Sequence, residues 1–359
     1  WKTEVPLEAF PSCAGTGFGH HAGMRTLILP LILTAAATAM ADDFPSGAIE
    51  TARESVVQVF GNGRIKGGGV VMDREGLVLT ACHLAEGTNM AFTVEYPDGQ
   101  RIAALPLAVD VQADLMLLTP TAAVSNATPA AFTRREVEEG QELCCVGPAL
   151  WEPTVSTYGR VSSPGPRYRE FGKLGFCSRF RLYNAMTPQL FSGSPWFTRD
   201  GRLAGIQSGY LNNHGNKEMS GLAMVACLED LKRLVATRKD AATPDLGGIV
   251  FELWSADQAH IEGFPDGSEG VLITKQEADG ALARAGLPLH ALIQSVEGRR
   301  VRSRVEFFDA LRQVGPGNGV KLGYRVLKTE EPKEAVLTFG SLESAWWAKR
   351  YPKEASATP

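Results

Sequence analysis

The chain has 359 residues, 44% hydrophobic and 21% charged, an ordinary globular composition that excludes a disordered or fibrous protein. With 36 Lys and Arg against 40 Asp and Glu, the formal net charge of −4 gives no basic footprint for nucleic acid. The length is enough for two or three hydrophobic cores.

Residues 1–23 do not begin with methionine and lack periodicity. They read as a translated upstream extension and are set aside with Cys13, His20 and His21. Met24 and Arg25 then precede the short apolar run 27–33 and an alanine-rich run ending at Ala39-Met40-Ala41. A basic start, a short apolar core and an Ala-x-Ala site predict a secretory signal peptide over 24–41, cleaved after Ala41. A membrane anchor is the alternative. A span needs roughly 20 apolar residues, and Pro30 interrupts this run, so no stable membrane span is expected. The protein is therefore expected to be exported, periplasmic or secreted.

Residues 48–53 read as a short helical lead-in. The β-branched run 55–60 is a strand, ended by Gly61-Asn62-Gly63. Lys66-Gly67-Gly68-Gly69 turns into a second strand through Met72. A phosphate-cradling loop does not fit, because no Gly-Lys-Ser/Thr closes it and no helix follows. A strand at 77–80 leads straight to His83. Residues 92–96, the turn Pro97-Asp98-Gly99 and residues 101–107 form a hairpin, and 114–118 closes this half. Many short strands with turn signals and little helix predict a barrel or sandwich.

Residues 119–133 are a Pro/Ala/Thr-rich linker. Strands follow at 141–147, 157–163 and 176–182, with a Pro/Gly/Arg loop at 164–173. Two more lie at 203–209 and 221–225. Leu228, Leu231, Leu234 and Val235 share one face of a helix over 228–237. A polar hinge at 239–246 contains Pro244. Beyond it strands are expected at 270–274, 292–296, 320–326 and 334–339, with helices at 278–285 and 305–314. Residues 341–359 read as a tail whose Trp346-Trp347 pair packs on its own domain. Cys82, Cys144, Cys145, Cys177 and Cys227 are odd in number and unevenly spaced, so buried free thiols are expected rather than a disulfide framework. No Cys/His cluster has metal-ligand spacing, and no metal is assigned.

The chemistry centres on Ser192. Ser192-Gly193-Ser194-Pro195 before an apolar strand places a hydroxyl on a tight turn. A serine is a poor nucleophile without a base, and the base needs a partner to hold its tautomer. His83 offers the base and Asp114 the orienting carboxylate. Asp110 is the nearest rival to Asp114, which directly precedes the apolar strand and fits better. His214, His260 and His290 sit in segments that suit a base less well. The order His–Asp–Ser is that of the chymotrypsin arrangement and differs from subtilisin and the α/β-hydrolases.

These residues resemble the HtrA/Deg family of exported or organellar trypsin-like serine proteases with C-terminal PDZ domains. The resemblance runs from about Ser55 to Phe339. It rests on the glycine turn before Val70, Leu79-Thr80 followed by His83, the Asp98-Gly99 hairpin, Asp114-Leu115-Met116-Leu117-Leu118 and Gly159-Arg160-Val161-Ser162. The separations of 31 residues from His83 to Asp114 and 78 from Asp114 to Ser192 suit two small barrels with the site between them. Downstream, Ala283-Arg284-Ala285-Gly286-Leu287, Val296-Glu297-Gly298 and Leu311 with Gly315-Pro316-Gly317 resemble a single PDZ domain.

The resemblance implies a mostly β protein: a two-barrel chymotrypsin/trypsin-like domain at 42–240, an α+β PDZ domain at 241–341 and a tail at 342–359. It implies a serine endopeptidase of protein quality control with a His83, Asp114 and Ser192 triad, requiring no cofactor. Its substrates would be unfolded proteins or peptides. Extended or C-terminal peptides would bind the PDZ domain at Gly248, Ile249, Phe308 and Leu311, and family members form trimers or larger assemblies. The oxyanion hole would use the backbone N–H groups of Leu190 and Ser192. The chain departs from the family at Leu190-Phe191-Ser192-Gly193-Ser194-Pro195, where Gly-Asn-Ser-Gly-Gly-Pro is usual. Glycine takes positive φ freely and leucine only with strain, on the order of 1–3 kcal/mol; if Leu190 turned its N–H away, one oxyanion donor would be lost. Asn184 replaces an aspartate, and His290-Ala291 replaces Gly-Asp. A catalytically impaired, PDZ-bearing binding or chaperone-like protein is the alternative.

Overall fold

The computed structural model describes residues 44–149, 152–170, 177–212, 219–253, 262–265, 267–327 and 331–352. The expected upstream and signal segments, His214 and His260 lie outside the described residues.

Six strands close the first barrel: β1 (Val56–Gly61), β2 (Arg64–Val71), β3 (Val78–Ala81), β4 (Phe92–Glu95), β5 (Arg101–Asp110) and β6 (Leu115–Pro120). They are hydrogen-bonded in the order β1-β2-β3-β6-β5-β4. The second barrel is built from β7 (Glu142–Ala149), β8 (Glu152–Val161), β10 (Cys177–Asn184), β11 (Pro195–Phe197), β12 (Leu203–Asn212) and β13 (Met219–Cys227). Its order is β13-β12-β11-β7-β8-β10, and pairing of β10 with β13 closes it. β9 (Arg167–Glu170) lies outside the ring, against β10. Closure satisfies the edges that short antiparallel strands otherwise leave open.

The two barrels share an apolar layer. Val70, Leu79, Leu115 and Leu117 of the first pack with Cys144, Val146, Phe197, Leu203 and Ile206 of the second. Helix Leu228–Thr237 adds Leu231 and Leu234 to that layer. It stops where Arg238 takes φ +51 and donates its N–H to the Leu234 carbonyl, a left-handed cap that glycine more often provides.

After the two-residue strand β14 (Pro244–Asp245), which pairs with β21 (Gly340–Ser341), the C-terminal module has its main sheet in the order β15-β16-β17-β19-β20. These are β15 (Gly248–Glu252), β16 (Val271–Gln276), β17 (Leu292–Val296), β19 (Gly319–Arg325) and β20 (Lys333–Thr338), and β18 (Arg299–Arg300) pairs with β17. Helices Ala281–Arg284 and Arg304–Val314 accompany the sheet. The longer one starts at Ser303, whose side chain accepts the Glu306 N–H, while the Glu306 carboxylate accepts the Arg302 N–H. His290 takes φ +62 and its N–H bonds to the Ile273 carbonyl at 2.9 Å, so the turn keeps a left-handed residue without glycine.

Two expectations need correction. The 164–173 loop contains β9, whose Tyr168 is buried in the module's core and stacks on Phe308 at 4.8 Å. The tail contains helix Leu342–Arg350, capped by Ser341. Trp346 and Trp347 pack on the core of the first barrel rather than on the module. The strap is held by polar contacts as well. Trp347 Nε1 donates to Asp240 at 2.8 Å, and the Tyr351 hydroxyl donates to the Met90 carbonyl at 3.1 Å. Glu343 is fully buried at the helix start, accepting the N–H groups of Val111 at 3.1 Å and Thr243 at 2.7 Å.

Burial, with Asp110 adding to it, pushes the Glu343 carboxyl up to about 7, against an ordinary value of 4.5. An acid with a raised folded pKa contributes stability that is complete below its unfolded pKa and lost as pH rises through the folded one. The loss here falls between about 4.5 and about 7. Glu343→Gln should therefore flatten the pH dependence of Tm across that window. An unchanged slope, measured by calorimetry at low salt, would contradict this account of the strap.

Candidate active site

The pairing of β3 with β6 puts Ala81 opposite Leu115, so the residues just past each strand come together. His83 follows on the 3₁₀ turn Cys82–Leu84. Asp114 precedes β6 in the left-handed region, at φ +56, which aspartate tolerates. Its main-chain carbonyl accepts the Cys82 N–H at 3.1 Å. The carboxylate then grips His83 twice. Oδ1 accepts the backbone N–H at 2.8 Å and Oδ2 meets ring Nδ1 at 2.7 Å. Asp110, the rival carboxylate, pairs instead with Arg233 and accepts the Ala113 N–H at 2.8 Å. It shapes the loop and does not reach the imidazole.

Asp114 also accepts the Ser208 hydroxyl from β12, which ties the two barrels together. Ser208 went unnoticed in the sequence because it belongs to no motif. Its only signal is a polar pair, Gln207-Ser208, inside an apolar strand. The Ser208 carbonyl accepts the Ser192 hydroxyl at 3.2 Å. His83, Asp114, Ser208 and Ser192 are thus joined in series, and among the described residues no hydrogen bond joins Ser192 directly to His83. In unliganded sites such bonds are commonly long or misaligned.

Burial works against charging His83, but the Asp114 charge and hydrogen bond, aided by Glu86, outweigh it and raise its pKa. The His83 side chain keeps 29% of its surface exposed. Cys82 beside it is no competing nucleophile, since burial pushes its thiol well up.

Glycines set the approach of the barrels. A Cβ on Gly67 would lie 2.1 Å from the Ser192 carbonyl oxygen, and one on Gly193 would lie 2.3 Å from the Gly68 carbonyl. Gly68 N–H donates to that Ser192 carbonyl at 2.9 Å. Thr80 Oγ1 bonds to the Gly68 carbonyl at 2.6 Å.

Leu190 does adopt positive φ, at +75. The strain, on the order of 1–3 kcal/mol, is held by its neighbours. Phe191 is buried and its N–H bonds to Pro188, Gly193 N–H to Gln207 and Ser194 N–H to Phe191. Among the described residues no acceptor partners the N–H groups of Leu190 and Ser192, the two named for the oxyanion hole. The peptide-binding candidates lie elsewhere, in the module: Ile249, Phe308 and Leu311 are buried in its core and Gly248 is half-buried on edge strand β15.

Residues 67–206 match the family described as trypsin-like peptidase domain. That segment is therefore similar to trypsin-like peptidase domains. A DegP-like periplasmic serine endoprotease of Halomonas elongata is 24% identical over 279 residues, 77% of this chain and 56% of that protein. The chain thus spans little more than half the length of that relative. The structure of the HtrA-type protease AlgW with a decapeptide superposes with a TM-score of 0.62 at 18% identity, over 82% of this chain and 97% of that one. A serine endoprotease from Yersinia pestis gives 0.58 at 19% identity, over 83% and 99%. The peptidase domain and the module following it therefore share one fold with HtrA-type proteases.

Ser194 carries the one hydroxyl of the peptidase turn that is fully buried with no hydrogen-bond partner. Ser194→Ala should stabilise the protein by about 1 kcal/mol, the ordinary cost of such an orphan. Gly67→Ala should do the opposite, by about 1–3 kcal/mol, since backbone must move. Urea denaturation of both variants checks the pair, and a neutral Gly67→Ala would refute the close approach.

Proposed function

We propose that the protein is an exported serine endopeptidase of protein quality control that cleaves unfolded or damaged proteins. The observation that carries this reading is the Asp114–His83 pair, with the imidazole held by both carboxylate oxygens beside the Ser192 turn. Ser192 Oγ attacks the peptide carbonyl carbon while His83 Nε2 takes its proton. The tetrahedral oxyanion accepts the N–H groups of Leu190 and Ser192. His83 then returns the proton to the leaving amine, and water repeats the sequence to free the acid. Asp114 fixes the tautomer with the proton on Nδ1 and stabilises the imidazolium. In this reading the Ser192 hydroxyl leaves the Ser208 carbonyl and turns to the ring when substrate binds.

The C-terminal module, read as a PDZ domain, would add a peptide strand to the β15 edge beside helix Arg304–Val314. Gly248, Ile249, Phe308 and Leu311 are the residues proposed for that groove. Export is supported by the periplasmic relatives. Among the described residues no helix is long and apolar enough to cross a membrane. A trimer or larger assembly is proposed from the family resemblance. A second reading, an impaired binding protein, is favoured by one observation: the Ser192 hydroxyl bonds to Ser208 rather than to His83.

An alkyl fluorophosphonate should label the wild-type chain and not Ser192→Ala. No labelling, with or without an added peptide, would favour the second reading. Asp114→Asn should lower kcat about 10⁴-fold. It should also move the acid limb of the kcat/KM profile to lower pH, because the carboxylate that raises the His83 pKa is gone. An unmoved limb would remove Asp114 from the account.

A further inference from the structure

We propose that Tyr210 fills the pocket for the substrate side chain preceding the scissile bond, restricting cleavage to bonds after glycine, alanine and serine. This rests on the peptidase reading above. A peptide carbonyl attacked by Ser192 and bonded to the N–H groups of Leu190 and Ser192 places its own side chain beside those groups. One wall of that space is the segment leading to Ser192, and the other is β12, whose Ser208 carbonyl is 3.2 Å from Ser192 Oγ.

Tyr210 lies two residues beyond Ser208 and bridges the two walls. Its hydroxyl donates to the Thr187 carbonyl and also bonds Thr187 Oγ1. Thr187 is itself buried. The far wall is fixed from behind, with Ala185 N–H donating to the Gly221 carbonyl at 2.9 Å and Thr157 Oγ1 to the Met186 carbonyl at 3.0 Å. β12 carries a bulge here: Gln207 faces Val225 while Gly209 faces Met224, leaving Ser208 as the extra residue. Bulges re-aim the side chains that follow them. This one lets Ser208 reach Asp114 while Tyr210 reaches Thr187. Burial, opposed by the Thr187 carbonyl and aided by Cys145, raises the phenol pKa, so the hydroxyl stays a neutral donor at every working pH. A large substrate side chain would have to displace the ring and break both bonds to Thr187. A hydrogen atom or a methyl or hydroxymethyl group would not.

The test uses the full chain and two peptidyl diphenyl phosphonates that differ only in carrying alanine or phenylalanine at the reacting residue. An alkyl fluorophosphonate, which has no such side chain, is run in parallel to show which variants remain folded and reactive. Wild type should react about 100-fold faster with the alanine probe, the scale at which a pocket discriminates by size. Tyr210→Ala should reverse the preference to at least about tenfold for phenylalanine. Tyr210→Phe keeps the ring and loses both bonds, so it should fall between. Equal wild-type rates for the two probes would overturn the proposal. So would an unchanged ratio in whichever Tyr210 variant still takes the fluorophosphonate. A wild type that takes no label from any probe would instead remove the peptidase reading, and this proposal with it.

Discussion

Everything at the cleft hangs on one buried carboxylate. Asp114 accepts the backbone and ring N–H groups of His83 from its own barrel and the Ser208 hydroxyl from the other. One side chain thereby orients the imidazole, raises its pKa and pins β12 to the first barrel. A carboxylate this buried is stable only when its oxygens are filled, and here donors from both barrels fill them. Removing it would loosen the seam as well as the base.

The seam also explains the backbone around Ser192. Gly67 lets the first barrel approach the Ser192 carbonyl, and Gly68 lets it approach Ser194, so closely that no side chain fits between. The turn is clamped from the front by Gly68 N–H and from behind by the Gly193 bond to Gln207. A clamp of this kind holds Leu190 in a conformation that leucine resists. The same logic applies at Arg238 and His290, where local hydrogen bonds hold left-handed turns without glycine.

Much of this was legible in the residues. Alternating β-branched runs and glycine turns marked nearly every barrel strand, and the Leu228–Thr237 helix falls where its apolar face predicted. His83, Asp114 and Ser192 were legible because chemistry restricts the residue types and the chain order. β9 was not, because Arg167-Tyr168-Arg169-Glu170 has no apolar run, and the burial of Tyr168 leaves no mark among its charged neighbours in sequence. Helix Leu342–Arg350 was hidden for a related reason. Its buried residue is Glu343, and a charged side chain reads as solvated until its two backbone donors are known. At Leu190 the residue types show only the strain of a leucine at positive φ; the tertiary bonds that hold it there are not legible in them. Ser208 and Tyr210 depend on a strand bulge, which leaves no mark in a sequence.

The strap and β9 give the C-terminal module two holds on the peptidase domain, through Tyr168 under Phe308 and through the Trp346-Trp347 helix on the first barrel. Both holds approach the 110–114 loop: Arg312 reaches Gln112, and Glu343 reaches the Val111 N–H. The loop that positions Asp114 is thus the meeting point of base, barrel seam and module. The most direct test of that claim is an NMR titration of the His83 ring in wild type and Asp114→Asn. The account predicts a wild-type pKa above the ordinary 6.5, a slowly exchanging Nδ1 proton, and loss of both in the variant. A wild-type pKa at or below 6.5 with a freely exchanging ring proton would contradict it.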